Sequence, residues 1–99
     1  MTKIMKLKKL KITNIDKFDY TLIDNENRQY IINIEFYGIE SYPEINDTIY
    51  ISEKMLEESN GYSFGVIGSK YSKNTDVDES EIIKIVSDNK EYYLQRYYG

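Results

Sequence analysis

The side chains that most often carry enzyme chemistry are missing from this sequence. It has no histidine and no cysteine. Ser-His-Asp and Cys-His nucleophile systems are therefore excluded, as are zinc sites built from the usual nitrogen and sulfur ligands. Seventeen carboxylates, thirteen lysines and arginines and eleven tyrosines remain. Paired carboxylates can run glycoside hydrolysis when held at a fixed separation. Here they fall on expected loops and outward strand positions, where a solvated face is the simpler account. Two short runs imitate ligand loops. Asp76, Asp78 and Ser80 open like a calcium loop, but the sixth position is Glu81 rather than glycine and the twelfth is Ser87 rather than glutamate. Gly65-Val66-Ile67-Gly68-Ser69-Lys70 has glycines and a lysine without the full spacing of a phosphate loop. No enzyme activity, metal or cofactor is expected.

Tyrosine and lysine are the informative residues. Tyr37, Tyr42, Tyr50, Tyr62, Tyr71, Tyr93, Tyr97 and Tyr98 exceed what one small core can absorb. Tyrosine gives stiff contact area with a polar tip, so a surplus marks a binding surface. The plain alternative is a set of amphipathic strand residues in a tyrosine-rich chain. Heavy use of Ile, Lys, Asn and Tyr fits an AT-rich bacterial genome. Lys3, Lys6, Lys8, Lys9 and Lys11 put five positive charges in the first eleven residues, leaving eight against seventeen acids in the remainder, a balance of −9 within a chain of −4. An acidic body repels phosphate backbones and suits basic partners. The lysine run reads first as protection of an edge strand. The alternative is a basic arm of Lys6, Lys8, Lys9 and Lys11 for nucleic acid or a membrane surface.

Such side chains need elements to position them. Phe18, Tyr20 and Leu22, then Tyr30, Ile32, Ile34 and Phe36, alternate with period two, which predicts a hairpin from Phe18 to Tyr37. Opposed residues share a face, so Leu22 must meet an even-numbered partner. A three-residue loop, Asn25-Glu26-Asn27, satisfies this by pairing Leu22 with Tyr30 and Tyr20 with Ile32, with Asn27 left-handed. The apolar phase slips from Met5 and Leu7 to Leu10 and Ile12, which places a bulge at Lys8-Lys9. Thr48 to Ile51 predicts a strand with Ile49 and Ile51 inward. Ser52 caps a short helix from Glu53 to Ser59, stopped by Asn60-Gly61, with Met55 and Leu56 plugging a barrel end. Tyr62 to Tyr71 is a strand in which Gly65 and Gly68 allow a bend or a close backbone approach. A turn at Ser87-Asp88-Asn89-Lys90 pairs Ile85 with Tyr92, Ile83 with Leu94, and Glu81 with Arg96. The expected core is Tyr20, Leu22, Ile32, Ile34, Ile49, Ile51, Phe64, Ile83, Ile85 and Leu94.

The reading is a single all-β domain over residues 1–99 with one short helix. The segments YTLIDNENRQYIINIEF, TIYI, SEKMLEES and YSFGVIG follow one another in an order that resembles the oligonucleotide/oligosaccharide-binding (OB) barrel. The resemblance runs from about Phe18 to Ile85 and implies a small antiparallel OB-like barrel with a ligand on its face; an SH3-like barrel is the alternative. No apolar run is long enough for a signal or a membrane span, so a cytoplasmic protein is expected.

Two functions fit. One is a non-enzymatic acidic inhibitor or immunity-type module that binds a protein with a basic surface through Tyr93, Gln95, Tyr97 and Tyr98 on a free terminal edge. The other is a single-stranded nucleic-acid binder using the lysine run and stacking on tyrosines. They make opposite demands: lysines and exposed tyrosines on one face favour nucleic acid, and on opposite faces favour protein.

Overall fold

The computed structural model describes residues 7–39, 41–58, 63–68, 82–88 and 90–97. Seven strands and one helix follow in order: β1 (Leu7–Asp16), β2 (Asp19–Ile23), β3 (Gln29–Tyr37), β4 (Thr48–Ser52), α1 (Glu53–Glu58), β5 (Ser63–Gly68), β6 (Ile82–Ser87) and β7 (Lys90–Tyr97). They close into a barrel in the order β1-β2-β3-β5-β7-β6-β4, with β4 returning to β1. The all-β reading with one short helix is therefore correct. The barrel has two strands more than the five of an OB barrel: β6 and β7 stand as a hairpin between β5 and β4. Every pairing is antiparallel except β3 with β5. That parallel pair is possible because β4 and α1 supply the long crossover a parallel connection needs.

Alternation builds the core. Leu10 and Ile12, Tyr20 and Leu22, Ile32, Ile34 and Phe36, Ile49 and Ile51, Val66, Ile83 and Ile85, and Leu94 all point inward and are buried. The expected core residues are among them, apart from Phe64, whose side chain lies outside the described residues. The β2–β3 register is as expected: Leu22 opposes Tyr30 and Tyr20 opposes Ile32. Asn27 is left-handed at φ 64°, and its amide donates to the Asp24 carbonyl across the turn. The second hairpin also holds its expected register, with Ile85 opposite Tyr92 and Ile83 opposite Leu94.

Both barrel ends are stoppered. At one end the Ser52 hydroxyl accepts from the Met55 amide at 3.1 Å, the N-cap that starts α1, and Met55 and Leu56 are buried beneath it. At the other, buried Pro43 and half-buried Ile39 close over the core. The cavity left there, against Tyr42, Ile85, Tyr92 and Leu94, has a volume of about 10 Å³, room for one water at most. Gly68 permits the close approach its sequence context suggests, since a Cβ there would stand 2.9 Å from the Gly38 carbonyl oxygen and 2.6 Å from Ile39.

Three expectations need correction. The β1–β4 register runs unbroken from Leu7 to Lys11, so no bulge lies at Lys8-Lys9; the irregularity falls between Ile12 and Asn14, where it turns Ile15 inward opposite Tyr20. Phe18 meets Ile34 through the backbone as the hairpin register requires, its carbonyl accepting from the Ile34 amide at 2.9 Å, but its side chain is exposed because it sits in the β1–β2 turn. β1 and β7 are both flanked on two sides, so neither is an edge. Arg96 pairs with Glu58 of α1; Glu81, its expected partner, lies outside the described residues. The helix stop at Asn60-Gly61 and the loop Ser72 to Ser80 also lie outside the described residues.

Candidate functional site

The lysine run is a length of barrel wall. Lys6 lies outside the described residues. Lys8 shares the inward phase of Leu10 and Ile12, and an inward lysine needs an anion at the barrel end. Asp24 supplies it. This carboxylate is buried, and one oxygen accepts from the backbone amides of Glu26 at 2.8 Å and Arg28 at 2.9 Å. The other lies 3.6 Å from Lys8 Nζ and 3.4 Å from Arg28 Nε, and accepts from the Tyr30 hydroxyl at 3.4 Å. Lys8 in turn donates to that hydroxyl at 2.9 Å. Burial pushes the Asp24 carboxyl up, but the two amides and the charges of Arg28 and Lys8 outweigh it and hold the group below its ordinary range. Lys8 is raised, chiefly by the Tyr30 hydrogen bond. The cluster ties β1 to the β2–β3 loop and removes Lys8 from the outer surface.

Lys9 and Lys11 point outward and are exposed, with no carboxylate partner among the described residues. Their neighbours follow from the register. Lys9 opposes Tyr50 on β4, Tyr50 opposes Lys84 on β6, and Lys84 opposes Tyr93 on β7. Ile49 and Ile51 flank Tyr50, and Ile83 and Ile85 flank Lys84; all four isoleucines are buried, so the residue between each pair must face solvent. Leu94 is buried and fixes Tyr93 outward in the same way. The result is one row across four strands, Lys9-Tyr50-Lys84-Tyr93, with Lys11 and Thr48 alongside.

The middle of the row is held by contacts. Lys84 Nζ stands 5.1 Å from the centre of the Tyr50 ring and 5.9 Å from that of Tyr93. It lies 3.1 Å from Glu91 Oε1, and this partner is the main reason its pKa is raised. The Tyr93 hydroxyl donates to Glu91 Oε2 at 3.2 Å.

Of the residues expected at a binding site, Tyr93 is in this row and Gln95 is on the same face, opposite Ile82 and Ile67. Tyr97 pairs through its backbone with Gly65; its side chain and the whole of Tyr98 lie outside the described residues. Sequence reasoning counted Tyr50 only among the surplus tyrosines and missed Lys84 as a site residue. Their signal is the pattern Ile-Tyr-Ile and Ile-Lys-Ile, in which inward isoleucines present the central side chain.

Among the described residues no group of carboxylates converges to hold a metal ion, and no helix is long and apolar enough to cross a membrane. No family model, curated protein or solved structure matches the chain at a significant level.

Proposed function

We propose that this is a non-enzymatic binding protein that holds single-stranded nucleic acid on the outer face of β1, β4, β6 and β7. The observation that supports it is the row Lys9-Tyr50-Lys84-Tyr93, in which cations and aromatic rings alternate on one surface. Each element has a counterpart in the ligand. Bases stack on tyrosine faces at about 1–3 kcal/mol each. Lysine ammoniums neutralise phosphates and release their counterions.

The spacing favours one strand over two. Tyr50 and Tyr93 stand two strands apart, about 10 Å at the usual strand separation. That is about three times the 3.4 Å rise of stacked bases in a duplex. A duplex keeps its base faces against one another, whereas a single strand splays them onto rings. The charge of the chain as a whole is negative, but this face carries Lys9, Lys11 and Lys84 against Asp16 and Glu91. An acidic mask for a basic protein requires the opposite sign beside its aromatic contacts, so the inhibitor reading loses its main support here.

Fluorescence anisotropy with a labelled oligodeoxythymidylate tests the proposal. Three lysines at about 0.7 per phosphate predict that log K falls with log salt at a slope near −2. A duplex of equal length binds more weakly. No binding at low salt, or equal affinity for the duplex, overturns the reading.

A further inference from the structure

We propose that Glu91 is a built-in phosphate surrogate that sets the affinity of this face for its ligand; the proposal rests on the nucleic-acid reading above. The face has three lysines and two carboxylates, Asp16 at the end of β1 and Glu91, which sits on the middle lysine. Glu91 Oε1 lies 3.1 Å from Lys84 Nζ, and Oε2 accepts from the Tyr93 hydroxyl at 3.2 Å. One anion thus holds an ammonium between two rings, 5.1 Å and 5.9 Å from their centres.

A phosphodiester offers the same chemistry. Its free oxygens carry the charge and can accept from both an ammonium and a phenol. The register explains why Glu91 reaches this place. Glu91 opposes Val86, one outward position along from the Lys84–Tyr93 pair, so its carboxylate lies diagonally across from Lys84. An exposed pair of this kind is weak and opens readily. When a strand binds, Lys84 passes from Glu91 to the phosphate and both rings are uncovered for bases. Glu91 is then left beside a second anion. The carboxylate therefore lowers affinity, and it discriminates. A polyanion without bases must displace Glu91 with no stacking in return, whereas a single strand gains stacking on both tyrosines.

Glu91→Gln removes the charge and keeps an oxygen for the Tyr93 hydroxyl. The anisotropy titration with the oligodeoxythymidylate is repeated on this variant, on wild type and on Glu35→Gln, a control on β3. Glu91→Gln is expected to bind about three- to tenfold tighter at low salt. Its log K against log salt should keep a slope near −2, since the same three lysines meet phosphates in both proteins. Glu35→Gln should match wild type. Unchanged or weaker binding by a cooperatively melting Glu91→Gln overturns it while leaving the nucleic-acid reading in place, as does an equal gain in Glu35→Gln. Absence of binding in all three proteins overturns both.

Discussion

The outer face of β1, β4, β6 and β7 and the outer face of β2, β3 and β5 are built on one core from the same alternating pattern. Only the residues between the inward positions differ. The first face presents Lys9, Lys11, Tyr50, Lys84, Glu91 and Tyr93. The second presents Asp19, Thr21, Ile31, Asn33, Glu35 and Tyr37, with no lysine or arginine among its described outward strand residues. Its polar groups satisfy each other: Asn33 donates to Asp19 at 2.8 Å, and the Tyr37 hydroxyl donates to Glu35. Its aromatic is also spent on structure, because the Tyr37 ring covers Gly65, where a Cβ would lie 2.9 Å from it. On both faces a tyrosine bonds a carboxylate, but on the first it also stands next to a cation, and on the second its ring lies over a glycine. Net charge is thus a poor guide to the partner of a barrel, since a wall of either sign can be assembled within an acidic chain.

Because both faces hang on one core, a cavity in that core should weaken them together. Ile34 is fully buried, and Ile34→Ala should cost about 2–5 kcal/mol in a denaturant titration. A loss below about 0.5 kcal/mol would mean that Ile34 does not face the barrel interior. The faces separate at the next step. Tyr50→Ala with Tyr93→Ala should weaken binding of the oligonucleotide by about 1–3 kcal/mol for each base stacked, while Tyr37→Ala leaves affinity unchanged. Equal losses from both variants would erase the distinction between the faces. The smallest effect sharpens it from the side of Asp24, which draws Lys8 out of the basic row. The folded carboxyl is held below its unfolded value, so its contribution is full above the ordinary carboxylate range and is lost as pH falls through the folded value. The melting-temperature gap between wild type and Asp24→Asn should therefore be widest near neutral pH and narrow below about pH 4. A gap that stays constant down to low pH would show that the Asp24 charge is idle.

Local pairing was legible in the sequence because parity decides it. Leu22 cannot oppose Gln29 without turning one hairpin arm inside out, and the left-handed tolerance of Asn27 agreed with the loop that parity selected. The Ser52 cap was legible for a similar reason, since its hydroxyl needs only residues three positions away. Lys8 was misread because Leu7, half-buried on the outer side, suggested the wrong inward phase. The partner that lets a lysine point inward is a carboxylate sixteen residues on, and nothing local announces it. The bulge was misplaced by the same error; the change from Ile12 to Ile15 marks it. The row Lys9-Tyr50-Lys84-Tyr93 was half legible. Tyr93 could be recognised as outward, but its neighbours Lys84, Tyr50 and Lys9 come from β6, β4 and β1. Their order around the barrel depends on pairings between distant strands, which no single strand's pattern contains.

The place of β7 has a consequence for how the molecule comes into being. It follows every other strand of the barrel in the chain, yet it stands between β5 and β6. Until residue 97 has left the ribosome, the barrel is an open sheet whose two margins, β5 and β6, are each unpaired on one side. Those margins are the template that pairs with foreign strands. The period of risk lasts until β7 arrives, and the pairings that end it join β7 to β5 as well as to its hairpin neighbour. A non-local closure of this kind is slow compared with a hairpin. Synthesis stopped before Lys90 would yield a chain that has most of its core residues and no means of hiding its edges.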